Sequence, residues 1–444
     1  MPKSIAYLIY NILLPVVLLI GFPSFIIKGI KRGGLARNFR HRFGYYGPTT
    51  RAHFQGSPPI WIHAVSVGEI LLAKKIIASL HEEDPEVKMV LSTTTTTGFA
   101  VATEGPVDYL TVIHNPLDLP WIVNRVIRLI QPRQLNIVES EIWPNLLRTA
   151  KREGVFVGLA NARLSLRSEK RYQKFSALIR PVFSQLDFVT VPFEADIKRW
   201  SNLGIARERI EATGSVKFDN ATTSIRAELI EELSRWLNEM GMPEGSRILL
   251  AGSTHAGEET LLAEISAELK RETPALELVI VPRHAERGPE IAGQLKRSGF
   301  DPILRSQSKE MGSAPRPVTD SPRGQTVWIA DTTGELRGWF CVSELVFIGK
   351  SLFGGGGQNP VEPILAGKPT VVGPRMENFS EVVADLRQEE ALVQVKDEKS
   401  LTKAIHGLLV DKKAAEAMSH RGLNAMKKHR GAAQRTAELF LRKG

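Results

Sequence analysis

From residue 60 onward, short apolar runs alternate with amphipathic stretches, and the alternation passes through the chain twice. In the first pass, residues 60–64, 87–91, 109–113, 135–138, 155–160, 188–191 and 210–213 read as strands. Helical patterns such as 69–81, 119–129 and 144–153 lie between them. A polar helical stretch, 220–246, ends in Gly241-Met-Pro-Glu-Gly245. The second set follows at 247–251, 276–281, 327–330, 345–348, 370–372 and 392–395. Residues 306–322 are rich in Ser, Pro and Gly and read as a surface loop, and beyond Ser400 the chain is helical to its end. Strands alternating with helices build mainly parallel sheets covered on both faces. A chain of 444 residues exceeds one ordinary core. The pattern predicts an α/β protein of two doubly wound domains facing each other across a cleft, with ligands outside the carboxyl ends of the strands.

Charge is unevenly placed. Eight of the ten net positive charges fall in residues 1–68, which contain no acid, and Glu69 is the first carboxylate. These cations collar an uncharged segment of 23 residues, 5–27. A bilayer span needs about 20 residues. The segment is long enough to span, and Pro15, Gly21 and Pro23 interrupt it, so a kinked, tilted or half-inserted helix is the alternative to a straight span. It is too long for a typical signal-peptide core, and no small-x-small site precedes the basic run. The collar follows the apolar run, which puts the C-terminal bulk on the cytoplasmic side and residues 28–42 against anionic lipid headgroups. A general nucleic-acid binder would spread its charge over a domain face, so nucleic acid is not an expected partner. A single cysteine, Cys341, excludes an internal disulfide framework and a cysteine-rich zinc site, and its apolar surroundings suggest a buried, inert thiol.

Polar motifs cluster after the strands. Ser66-Val-Gly-Glu69 has the spacing of a capping box, and Glu69 at a strand end is also placed to take a proton from an attacking hydroxyl. Residues 138–145 put Glu139 and Glu141 after another strand, with Pro144 suited to a helix start. Among Ser92 and the five threonines 93–97, one hydroxyl is expected to cap the next helix. Arg167, Lys170, Arg171 and Lys174 share one helix face, either solvated or turned to phosphates. Lys217 follows the last strand of the first half, within reach of developing negative charge. In the second half, residues 253–259, 281–287 and 331–335, with Asn359 and Glu362, are expected to ring a phosphate and ribose site, with Arg283 on the phosphate. The glycine-rich turn 354–357 offers bare backbone N–H groups and the following helix a partial positive charge. No D-x-D sequence or metal-ligand spacing occurs, so no metal is expected and lysine, arginine and helix ends would neutralise a leaving phosphate.

Taken in order, these pieces resemble the Kdo (3-deoxy-D-manno-oct-2-ulosonic acid) transferases over nearly the whole chain. The resemblance rests on the anchor with HRFGYYG at 41–47, SVGE at 66–69, ESEIWPN at 139–145, NARLS at 161–165 and GSVKFD at 214–219. It continues in STHAGEE at 253–259, VPRHAER at 281–287, DTTGEL at 331–336 and QNPVEP at 358–363. It implies the two-domain GT-B glycosyltransferase fold: an anchor at 1–30, an acceptor-binding domain at 31–222, a nucleotide-sugar-binding domain at 223–410, and C-terminal helices at 411–444 crossing back to the first domain. It implies Kdo transfer, with inversion, from CMP-Kdo to a lipid A precursor (lipid IVA), without a cofactor, at the cytoplasmic face of the inner membrane. Glu69 matches the general base, and Glu139 and Lys217 match transition-state stabilisers. Pro282, Arg283, Thr333, Gly334, Glu335, Asn359, Pro360, Val361 and Glu362 match the CMP site. Arg163, Arg167, Lys170 and Arg171 are candidates for the acceptor's phosphates. Gln358 stands where the family often has His, and glutamine does not titrate. Two rivals are a nucleotide-sugar epimerase of the same architecture and a non-catalytic membrane-attached binder. The apolar segment argues against the first, and the carboxylates at 69 and 139 against the second.

Overall fold

Most of the apolar runs become strands buried on both faces, as a parallel sheet requires, and the sheet-edge strands at 110–114, 210–212 and 393–394 are only partly buried. The computed structural model describes residues 3–31, 39–219, 226–307 and 325–444. The side chains of 22–31, with Arg32 and Arg37 of the basic collar, the expected boundary at 222 and most of the 306–322 loop lie outside the described residues. The chain divides into two α/β units, Met1–Asp219 with Lys428–Gly444, and Asn220–Lys427.

In the first unit the strands are β1 (Ile60–His63), β2 (Met89–Thr93), β3 (Leu110–His114), β4 (Gln134–Val138), β5 (Phe156–Ala160), β6 (Phe188–Val191) and β7 (Ile210–Ala212). All pairings are parallel, in the order β3-β2-β1-β4-β5-β6-β7. Trp61 of β1 enters one apolar layer with Val126, Leu135 and Val157. Ile60 and Ile62 enter the opposite layer, to which the helix Val67–Glu83 contributes Ile70 and Ile76. The C-terminal helix Ala432–Lys443 contributes Ala437 and Phe440 to that same layer. Of the segment 411–444, only the part from Lys428 belongs to this unit, and the helix Lys412–Lys427 packs in the second.

The second unit holds β8 (Arg247–Thr254), β9 (Leu276–Pro282), β10 (Asp301–Leu304), β11 (Thr326–Ile329), β12 (Leu345–Ile348), β13 (Thr370–Val372) and β14 (Val393–Gln394). Their order is β10-β11-β9-β8-β12-β13-β14, again parallel. The sequence reading missed β10. It is four residues long, contains Pro302 and lies at the sheet edge, where a missing backbone N–H is tolerated. Cys341 is half-buried rather than buried, and burial raises its thiol pKa.

The N-terminal helix runs unbroken from Lys3 to Lys31, through both prolines. Its Ser4–Gly21 stretch is long and apolar enough to cross a membrane. Ala6, Tyr7 and Leu14 are buried against the first unit, whereas Leu19 and Ile20 are 75% and 76% exposed. Arg42, expected to face lipid, is buried instead and donates to the Thr94 carbonyl at 2.6 Å.

Candidate functional site

Strand order in the first sheet reverses between β1 and β4, and loops that leave such a switch point diverge and open a crevice. The loop after β1 enters the helix Val67–Glu83. Ser66 caps it by accepting from the Glu69 N–H at 3.3 Å. The Glu69 carboxylate answers, accepting the Val65 N–H at 2.8 Å and the Ser66 hydroxyl at 2.9 Å. Glu69 therefore caps its own helix while remaining half-buried, and each carboxylate oxygen keeps a second lone pair. Thr93 and Thr95 donate to the Val65 carbonyl, both at 3.2 Å, and Thr95 also caps the helix Thr96–Thr103. Both threonines pin the Glu69 loop from beneath.

The loop after β4 brings the other acids alongside. Glu139 takes a left-handed backbone, φ 66°, and donates its N–H to the Ala160 carbonyl at 2.8 Å. Glu141 is exposed as a residue, yet burial first and then the charge of Glu69 hold its carboxyl up at about 7. Trp143 donates to Nε2 of His63, and the Nδ1 of His63 lies 2.9 Å from Ser92 Oγ. The indole of Trp61 donates to that same oxygen at 2.8 Å. His63 is fully buried and burial depresses its pKa to about 4, so it is neutral near pH 7. It acts as a strut between the two acid-bearing loops.

Lys217 joins this side of the sheet. Lys217 is exposed as a residue, yet burial first and then Arg163 push its pKa down, and Glu139 opposes the shift. Its loop is held from below: Asn161 Oδ1 accepts the Val216 N–H at 3.1 Å, and His429 Nδ1 accepts the Ser215 N–H at 3.0 Å. Gly214 has φ 87°, and a Cβ there would stand 2.6 Å from the Lys428 carbonyl oxygen. Arg167, Lys170 and Arg171 are exposed on the helix Leu166–Lys174, which Ser165 caps. Glu69, Glu139, Glu141, Lys217 and Arg163 are thus gathered at one sheet end.

The second unit corrects several expectations. Its switch point lies between β8 and β12, and a protein carboxylate fills the backbone nest there. Glu258, fully buried, accepts the N–H groups of His255, Lys350, Ser351 and Leu352 at 2.7–3.1 Å. Glu259 is buried and paired with Arg287 at 2.8 Å, so neither acid faces a ligand. The second half of the glycine turn, Gly356 and Gly357, packs closely rather than baring its amides, whereas Gly355 is exposed with open space around it. Gly356 donates to Glu377 at 2.6 Å, and a Cβ on it would stand 2.4 Å from Asn378 Nδ2. Gly357 donates to the Lys350 carbonyl at 3.1 Å. The helix Val361–Leu365 is five residues long, too short for an appreciable macrodipole. Pro360 and Val361 are buried, and the Val361 N–H is taken by Asn359 Oδ1 at 3.1 Å. Glu362 accepts from Asn359 Nδ2 at 3.1 Å and stands 3.7 Å from Arg337 Nε. Gln358 is half-buried. Pro282 ends β9 in the core, leaving Arg283 exposed after it. Thr333 and Gly334 are exposed, and Glu335 is tied to the buried Arg305 at 2.7 Å.

Sequence reasoning passed over Asp118 and Arg305, and it gave His63 and Asn161 no structural role. Asp118 is buried, accepts the N–H groups of Asn145 and Leu146 at 2.9 and 2.7 Å, and is raised to about 7 by burial. These residues act through partners distant in sequence, which no local spacing marks.

The family model for 3-Deoxy-D-manno-octulosonic-acid transferase (kdotransferase) matches residues 37–220. The 3-deoxy-D-manno-octulosonic acid transferase of Haemophilus influenzae is 32% identical over 418 residues, 93% of either chain. That of Bordetella pertussis is 29% identical over 90% of either chain. Among solved structures, UDP-GlcNAc 2-epimerase from Neisseria meningitidis bound to UDP-GlcNAc is 14% identical. It covers 87% of this chain and 99% of its own, with a TM-score of 0.55, a likeness of fold alone.

Proposed function

The chain belongs to the 3-deoxy-D-manno-octulosonic acid transferase family, and from that premise we propose that it moves Kdo from CMP-Kdo to a lipid A precursor, lipid IVA, with inversion. Glu69 accepts the proton of an acceptor sugar hydroxyl. The freed oxygen bonds to the anomeric carbon of Kdo, the bond from that carbon to the CMP phosphate oxygen breaks, and its electron pair leaves on the phosphate. Lys217 and Glu139 serve the transition state in the first unit, while Arg283, Thr333 and Asn359 serve CMP in the second. No cofactor or metal enters this scheme.

The observation that supports it most is the carboxylate pair at the switch point. Glu141 is held near 7 in part by the charge of Glu69. Carboxyls crowded together where strand order reverses are a usual mark of a functional site. The N-terminal helix is the proposed inner-membrane anchor, with both units on the cytoplasmic side. Incubating the purified protein with CMP-Kdo and lipid IVA and weighing the lipid by mass spectrometry tests the reading. Kdo-bearing lipid with matching CMP release is expected, and unchanged lipid would overturn it.

A further inference from the structure

An apolar cavity of 450 Å³ opens beside the acid-bearing loop, entirely within the first unit. The N-terminal helix forms one wall with Tyr10 and Leu13, residues 140–144 form the end, and Phe175, Leu178 and Ile179 form the far wall. That volume is ordinary for a small-ligand site. Its polar groups sit at the edges: Ser140 and Glu141 beside the switch point, and Arg171 on the basic helix.

The wall is fixed. Tyr10 donates to Asp118 at 2.8 Å, Asn11 and Asn145 exchange hydrogen bonds at 2.7 and 3.2 Å, and Gln185 donates to the Tyr7 hydroxyl at 2.7 Å. Polar residues on an apolar helix are expensive in hydrocarbon, so these pins belong to protein contact and preform the cavity. The helix's other face is bare. Leu8, Ile12 and Val17 are 60–63% exposed, and Phe175 is 48% exposed at the opposite wall. Contiguous exposed apolar surface of this kind marks a membrane or ligand contact.

We propose that this cavity takes one fatty acyl chain of the acceptor lipid, with the sugar at the 139–141 loop and a lipid phosphate over Arg171. The inference rests on the Kdo-transfer reading and adds the acceptor's chain to it. Charge complementarity supports the choice: the apolar interior fits the chain, and the Arg171 guanidinium fits its anionic head.

Two measurements on the full-length protein test it. Kdo transfer is followed with lipid IVA and with its deacylated form. Each methylene removed from an apolar site costs roughly fourfold in affinity. Leu178→Trp, which fills the cavity, should therefore shrink the ratio of KM for deacylated to acylated acceptor by about tenfold or more. Separately, lipid IVA carrying a diazirine at an acyl terminus should cross-link wild-type protein at the 10–13 and 175–179 segments, a result independent of whether the variant folds. An unchanged KM ratio in folded variant, or cross-links confined elsewhere, overturns the proposal. So does an equal loss of binding to acceptor-free vesicles, which would make the face a bilayer contact or the seat of another segment. If wild-type protein transfers Kdo to neither acceptor, the functional reading fails first; if it transfers to both without chain dependence, only the cavity assignment fails.

Discussion

Trp143 donates its indole N–H to Nε2 of the buried His63 at 3.2 Å. The bond makes that nitrogen an acceptor, so the ring proton resides on Nδ1 and points to Ser92 Oγ. It ties the loop of Glu139 and Glu141 to the strand that launches Glu69. Trp143→Phe keeps an aromatic ring but strands a buried acceptor, which costs about 1–3 kcal/mol. Urea unfolding should register that loss, and kcat should fall about tenfold through loop displacement while KM for CMP-Kdo stays near wild type. A stability loss with kcat unchanged would limit Trp143 to a structural role.

Glu69 holds its own helix start and is also the proposed base, and one substitution separates the two. In Glu69→Gln the amide oxygen still accepts the Val65 N–H, so the fold should survive. Proton removal is lost, and turnover should drop about 10²–10⁴-fold. Calorimetry with CMP should show donor binding retained. Turnover within a few-fold of wild type would exclude Glu69 as base.

The sequence made the architecture legible because each buried parallel strand is a contiguous apolar run, and the runs from Ile60 and Leu345 match their strands almost residue for residue. β10 escaped because Pro302 and a length of four residues leave little apolar signal. The reading of local geometry succeeded where the interaction is local: the Ser66–Glu69 cap, Pro144 opening a helix, and Lys217 in the loop that follows a strand. It failed where the partner is remote. Glu258 has the spacing of a ligand carboxylate, yet three of its four N–H partners lie 92–94 residues away in the loop after β12. Gly356 resembles a ligand-approach glycine, but the side chain that forbids a Cβ is Asn378. Such pairings exist only once the sheet has formed.

Asp219 anchors the returning C-terminus. Its carboxylate accepts the N–H groups of Gly431 and Ala433, both at 2.7 Å, at the start of the helix Ala432–Lys443. Asp219→Ala removes an N-terminal cap worth about 0.5–2 kcal/mol. The same loop positions Lys217, so kcat should fall with it. Trypsin should cut faster at Lys428 and Arg430 in the variant than in wild type, and equal cutting rates would show that apolar packing alone holds this helix.

Stability should fall on mild acidification. Burial depresses His63, His114 and His429 to about 4, with Lys428 adding to the effect at His429. Unfolded, each would titrate near its ordinary value of about 6.5. Between those values the unfolded chain binds more protons, so stability is full above about 6.5 and is lost as pH falls toward 4. Asp118 and Glu141, raised to about 7, act oppositely, since the folded chain holds their protons over much of the same range. Burial also lowers His41 and His255 and raises Glu277, so five histidines stand against three carboxyls and leave a net loss toward acid. His429→Asn preserves an acceptor for the Ser215 N–H and removes one histidine. It should lessen the fall in unfolding free energy from pH 6.5 to 4 by up to about 3 kcal/mol, read from urea midpoints at several pH values. A variant whose acid limb is as steep as the wild type's would show that His429 is not among the groups that set it.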